Sequence, residues 1–184
     1  IRIPSINGLH TKPIRTKILL SRLQKQIPTY HEASIGFNED QERKEVVDYV
    51  RNHGVHIFPY HFTKNYKQED IQVYHDDECG MHFVLQEGRR LYFKKKWSAN
   101  RIKKSFHDLT LEQDEMSPHR YLSNDFDLDE NDVLADFGAA EGNFTLAVID
   151  RIKKAYLFEC DPEWIEALEM TFRPWKDKVE IVPK

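Results

Sequence analysis

The sequence predicts an α/β chain in two parts: an N-terminal α+β unit with a small antiparallel meander, then a parallel stretch reading β-α-β-α-β. Three observations predict it. Apolar residues recur at helical spacing early in the chain, at a period of two between Ile71 and Phe93, and from Val133 onward in strand-length runs that alternate with helical stripes. With 184 residues, 40% hydrophobic and 12% aromatic, there is enough apolar material for a core.

The first helix is expected to start near Thr11 and Pro13. Leu20, Leu23 and Ile27 give it one apolar stripe before Pro28 ends it, and its other faces are basic. A second begins at Asn38, with Gln41 three residues on as in a capping box; Val46, Val47 and Val50 share a face and Gly54 stops it. A short strand is expected over 55–58. The period-two segments Ile71 and Val73, then Met81, Phe83 and Leu85, then Leu91 and Phe93 are separated by turn residues, which predicts three meander strands. Such a small sheet needs cover, and the preceding helices are the candidates. Residues 1–97 thus form the N-terminal unit, and a polar helix near 99–111 with a loop to 131 forms the connection. Residues 132–184 hold strand Val133 to Phe137, helix 143–153, strand 155–159, helix Pro162 to Phe172 and strand 179–182. Asp161 before Pro162 is an N-cap followed by the position where proline is favoured.

Composition excludes several classes. No run approaches the roughly 20 apolar residues that cross a bilayer, and mean hydropathy is −0.69, so no membrane span is expected. Cys79 and Cys160 are far apart and predict no disulfide framework, which points to a reducing, cytoplasmic setting. A net charge of −4 argues against nucleic acid as a partner. The charge is uneven: Arg2, Lys12, Arg15, Lys17, Arg22 and Lys25 stand without an acid in the first 31 residues, while Asp125, Asp127, Asp129, Glu130 and Asp132 crowd together. Both read as solvated faces.

The chemistry lies in Val133-Leu134-Ala135-Asp136-Phe137-Gly138-Ala139-Ala140-Glu141-Gly142-Asn143-Phe144, with Glu159 21 residues after Gly138. A strand runs into a glycine turn and a helix follows, as in nucleotide-cofactor sites, and a carboxylate at the end of the next strand suits a ribose. The phosphate-binding Walker loop is excluded, because Asn143-Phe144 follow Gly142 where Lys and Ser or Thr are required. The dinucleotide fingerprint finds glycine at one of three positions, Gly138, against Ala140 and Asn143. An acid, a residue, a glycine, three residues and a glycine remain.

That pattern, with the acid ending the next strand, resembles the S-adenosylmethionine (SAM) dependent class I methyltransferases. Asp136 through Leu146, Phe158-Glu159-Cys160-Asp161-Pro162 and the upstream His119-Arg120-Tyr121-Leu122 are similar to the FkbM family within that class. The resemblance covers about residues 115–184. It implies a Rossmann-like fold and SAM as cofactor, held by Asp136, Gly138, Ala139, Gly142, Asn143, Glu159, Cys160 and Asp161. It also implies methyl transfer to a hydroxyl of a glycan or small metabolite. Asp136 would bind the ligand's ammonium and Glu159 both ribose hydroxyls. A complete class I fold has about seven strands and this stretch accounts for three, so the expectation is an incomplete domain, inactive alone, lacking part of the acceptor site.

No catalytic residue can be assigned. His119 and Tyr121 lead into the cofactor strand and are the nearest candidates for a base, with loop packing as their alternative role. Two other functions stay open: an NAD(P)-binding Rossmann protein, and a non-catalytic interaction module. The latter could be stapled by zinc through His53, His56, His61, His75, Cys79 and His82, although no metal is assigned.

Overall fold

The computed structural model describes residues 39–123 and 126–184. The basic helix expected between Thr11 and Pro28 and the cap at Asn38 lie outside them. The chain divides into two compact units, Ile1–Asn65 and Tyr66–Lys184.

In the first unit, α1 spans Glu39–His53. Val47 and Val50 are buried, and Tyr49 is buried with them, its ring stacked on His53 at 4.6 Å and edge-on to His61 at 5.5 Å. The strand expected over 55–58 does not form. Val55 and Ile57 are exposed, and the segment runs into a 3-10 helix at His61–Asn65. A strand needs a neighbour to satisfy its backbone N–H and C=O groups, and among the described residues this segment has no strand partner.

In the second unit, β1 (Tyr74–Asp76), β2 (Met81–Gln86) and β3 (Arg89–Tyr92) form an antiparallel sheet in that order. The meander is as expected, except that its first strand begins later. Ile71 and Val73 pack partly buried against the core ahead of the ladder, which opens with Tyr74 opposite Phe83. Their alternation marks burial without marking pairing. Glu87 and Gly88 close the β2–β3 hairpin with φ of 51° and 80°, the left-handed pair that suits a two-residue turn.

Ser98 caps α2 (Ala99–Glu112) by accepting the Arg101 N–H. Then β4 (Val133–Phe137), α3 (Asn143–Val148), β5 (Lys154–Glu159), α4 (Pro162–Phe172) and β6 (Val179–Pro183) alternate, and the three strands pair in parallel in the order β4-β5-β6. The bounds of β4 and α4 are those expected. Asp161 Oδ1 accepts the Glu163 N–H at 2.9 Å, as an N-cap should. By contrast α3 stops five residues short of its expected end. The Val148-Ile149-Asp150-Arg151-Ile152 run is poor in helix formers, and the Arg151 N–H bends back to the Val148 carbonyl at 2.9 Å.

One hydrophobic cluster joins these layers. Leu146 and Ile149 of the α3 segment and Leu168 and Phe172 of α4 meet Ala155 and Leu157 of the parallel sheet, Val84, Leu91 and Phe93 of the meander, and Ile102 of α2. The second unit is therefore mixed α/β, with a three-stranded antiparallel and a three-stranded parallel sheet sharing a core. Among the described residues no helix is long and apolar enough to cross a membrane.

Candidate functional site

Because β4 and β5 are parallel neighbours, their carboxyl ends lie on one edge of the sheet. Asp136 sits beside Leu157 in register, Phe137 beside Phe158, and Glu159 follows. Residues 138–142 then cross from β4 into α3. The N–H groups of Gly138 and Ala139 both reach the Phe158 carbonyl, at 2.8 and 3.2 Å, so the start of the loop is pinned to β5.

The two glycines have different reasons to be there. Both have φ of 73°, a left-handed backbone that costs a residue with a Cβ about 1–2 kcal/mol. At Gly142 a Cβ would also stand 2.8 Å from Leu168 Cδ2 and from Phe172 Cε2, so this glycine seats the loop on α4. At Gly138 nothing lies within 4 Å of a Cβ position, which leaves the backbone open to approach. Between them Ala140 is left-handed too, with φ of 48°, and its N–H donates to Glu159 Oε2 at 2.9 Å.

Glu159 is buried. Its Oε1 accepts the N–H groups of Cys160 and Asp161, each at 2.8 Å, and Oε2 accepts Ala140. Burial opposes its ionisation, but the three N–H donors outweigh burial and hold the carboxyl below its ordinary range. Three of its roughly four acceptor positions are occupied. The Cys160 side chain hydrogen-bonds the carboxylate as well, so the protein itself takes up most of its acceptor capacity.

Asp136 is half-buried and accepts the Thr145 hydroxyl at 2.7 Å. Burial first, and the Glu159 charge after it, push its carboxyl up, with Thr145 acting the other way. A third acid joins them that the sequence analysis did not assign to the site. Glu141 is 8% exposed and its carboxyl is pushed up to about 7 by burial, reinforced by Glu112, Asp136 and Glu159. Its position between Ala140 and Gly142 was visible in the motif. Its burial was not.

The remaining expected residues are partly committed elsewhere. Asn143 gives its carbonyl to Gln86 Nε2 at 2.8 Å. Asp161 caps α4 and pairs with Lys94, while Cys160 is exposed. Tyr121 stands edge-on to Phe144 at 4.9 Å and donates to Glu112 at 3.2 Å, so it reaches the helix that follows the loop. His119 sits in an exposed turn, with its N–H on the Ser117 hydroxyl. The zinc alternative finds no support, since among the described residues no group of three or more His, Cys, Asp or Glu is gathered to hold a metal ion.

An open cavity of about 450 Å³ lies between α2, the β2–β3 hairpin and α3, lined in part by Leu85, Phe106, Leu109 and Arg151. It shares Asn143 and Phe144 with the segment after the loop, but Asp136, Gly138, Glu141 and Glu159 do not line it. This hollow and the acid-bearing loop are separate features.

No family model matches this chain, and no curated protein matches it. Among solved structures, a crystal structure of a "putative transferase" from Pyrococcus horikoshii aligns at 15% identity with a TM-score of 0.34, over 94% of this chain. The chain spans 63% of that protein's length, and so distant a likeness carries no argument about fold or activity.

Proposed function

We propose that the chain is the cofactor-binding part of a SAM-dependent methyltransferase with a Rossmann-like fold, acting on a hydroxyl of a glycan or small metabolite. The observation that carries the reading is the charge of the loop. Asp136 and Glu159 lie at the ends of adjacent parallel strands, Glu141 is buried in the loop that follows β4, and among the described residues no lysine or arginine is hydrogen-bonded to any of the three. A pyrophosphate brought to this edge would meet three carboxyl groups, while the nearby Lys94 is already paired with Asp161. An adenosine carrying a sulfonium and an ammonium brings the complementary sign. The residues present therefore fit SAM better than a dinucleotide, in line with the FkbM resemblance.

When bound, SAM supplies an electrophilic methyl group that an acceptor oxygen takes by in-line displacement. The chain's part is positioning. Asp136, at the strand end, accepts from the ligand's ammonium. Glu159 offers its carboxylate to a ribose hydroxyl and holds the Ala140 N–H, so that the loop keeps its shape. Gly138 leaves room for the ligand against the backbone. A hydroxyl acceptor must also give up a proton, and no described residue is assigned as its base.

Titration calorimetry tests the reading. Heat is expected with SAM and with S-adenosylhomocysteine, and none with NADH. Binding of NADH without binding of either adenosine ligand would reverse the assignment.

A further inference from the structure

The hollow between α2, the β2–β3 hairpin and α3 is lined by none of the three acids of the loop. At about 450 Å³ it falls in the ordinary size range of small-molecule sites, roughly 300–1,000 Å³. Its walls are fixed by contacts of their own. Gln86 Nε2 donates to the Asn143 carbonyl and Arg89 to the Leu146 carbonyl, each at 2.8 Å, which clamps the hairpin to α3. The Tyr66 hydroxyl donates to Asp114, just after α2.

Leu85 of β2, Phe106 and Leu109 of α2, and Phe144 and Ala147 of α3 supply an apolar wall, on which Leu85 is 47% exposed. The charged lining is balanced, with Arg120 and Arg151 against Glu87 and Asp114. Asp114 is spent on the Tyr66 hydroxyl and the Met116 N–H, and Arg151 on Asp127 and the Leu128 carbonyl. Glu87 and Arg120 hold only ion pairs longer than a hydrogen bond, at 3.8 Å to Arg89 and 3.9 Å to Glu115. One acceptor group and one donor group are thus open to a ligand. The apolar wall favours hydrocarbon. An anion beside it would meet Glu87 and Asp114, a cation Arg120 and Arg151, and either would lose water without a net counter-charge. A hydroxyl group donates and accepts, so it suits both Glu87 and Arg120.

We propose that this hollow is a binding site for a neutral amphiphile of the alkyl glycoside class, a hydrocarbon chain joined to a hydroxylated head. The chain lies against Leu85, Leu109 and Ala147, and the head hydroxyls reach Glu87 and Arg120. The site is independent of the SAM reading.

Nuclear magnetic resonance titration of the full, isotope-labelled chain tests it, with octyl β-glucoside below its micelle concentration as the probe and octyl sulfate and octyltrimethylammonium as charged counterparts. Saturable shifts are expected at amides within 85–87, 109–114 and 143–148, with affinity for the glucoside about tenfold above that for either ion. Leu85→Gln, at an exposed position, should weaken glucoside binding about fivefold, and Ala147→Trp, which fills the hollow, should abolish it. Glu87→Gln should raise the affinity for octyl sulfate relative to octyltrimethylammonium, and Arg120→Gln should do the reverse, a pair of opposite shifts that damage to the fold does not produce. The inference fails if the glucoside does not bind, if its shifts lie outside those segments, if either ion binds as tightly, or if Leu85→Gln leaves the affinity unchanged. Each of these failures leaves the SAM reading standing.

Discussion

The two sheets of the second unit bury their faces differently. The meander is covered on both sides: Val84 and Leu91 turn to the main core, while Met81, Phe83 and Tyr92 meet Ala167, Trp164 and Met170 of α4. Its edge is closed as well, because the Tyr92 N–H donates to Thr171 Oγ1 at 3.0 Å where a fourth strand would otherwise pair. The parallel sheet buries Ala155 and Leu157 under the helices. On its other face Phe137 is 76% exposed and stacked on Phe158 at 4.5 Å. Strand sequence alone would suggest the reverse, since alternation in the meander reads as one wet face and the near-continuous apolar runs of β4 and β5 read as strands covered twice. Side-chain periodicity tells which residues share a face. What lies against that face is decided by other parts of the chain.

The largest effect expected from this contrast is at Leu157, which is 0% exposed between sheet and helices. Leu157→Ala should cost about 2–5 kcal/mol in denaturant unfolding, and a loss below about 1 kcal/mol would mean that the shared core is not the main support of the parallel sheet.

Next comes Glu141, which is buried in the loop between β4 and α3. Its ordinary carboxyl pKa of 4.5 is raised to about 7 in the fold, so the folded chain holds a proton that the unfolded chain has lost. Stability at this site is therefore full below about 4.5 and declines as pH rises toward 7. Glu141→Gln should be more stable than the wild type by on the order of 3 kcal/mol at pH 8 and nearly equal to it at pH 4, read from urea midpoints at the two pH values.

Thr171→Val probes the closed edge of the meander. Removing the acceptor of the Tyr92 N–H leaves a buried donor unmet and should cost about 1–3 kcal/mol; hydrogen exchange at the Tyr92 amide should quicken at the same time. The smallest effect is expected on the open face, where Phe137→Ser should change stability by no more than about 0.5 kcal/mol in this chain. A large loss there would show that the face is covered in solution, and the contrast between the sheets would disappear.

Much of the fold was legible in the residues. The bounds of β4 and α4, the Asp161 cap, the hairpin at Glu87-Gly88 and the glycine positions of the loop follow from signals within a few neighbouring residues. Where the expectations failed, a longer-range condition was missing. Residues 55–58 have no strand to pair with among the described residues, Ile71 and Val73 are partly buried without pairing, and the helix after the loop gives way at Val148 where the chain turns toward β5.

The sequence by itself determined the order of elements, the left-handed loop and the two acids that end adjacent strands, because backbone conformation, capping and turn chemistry depend on local side chains. Only the tertiary structure decided that α4 and α3 pack in the core shared by the two sheets, that Glu159 takes N–H groups both from the glycine loop and from the start of the β5–α4 connection, and that Glu141 is buried. Burial and electrostatic environment are set by groups distant in sequence, and the local pattern around Glu141 is silent about them.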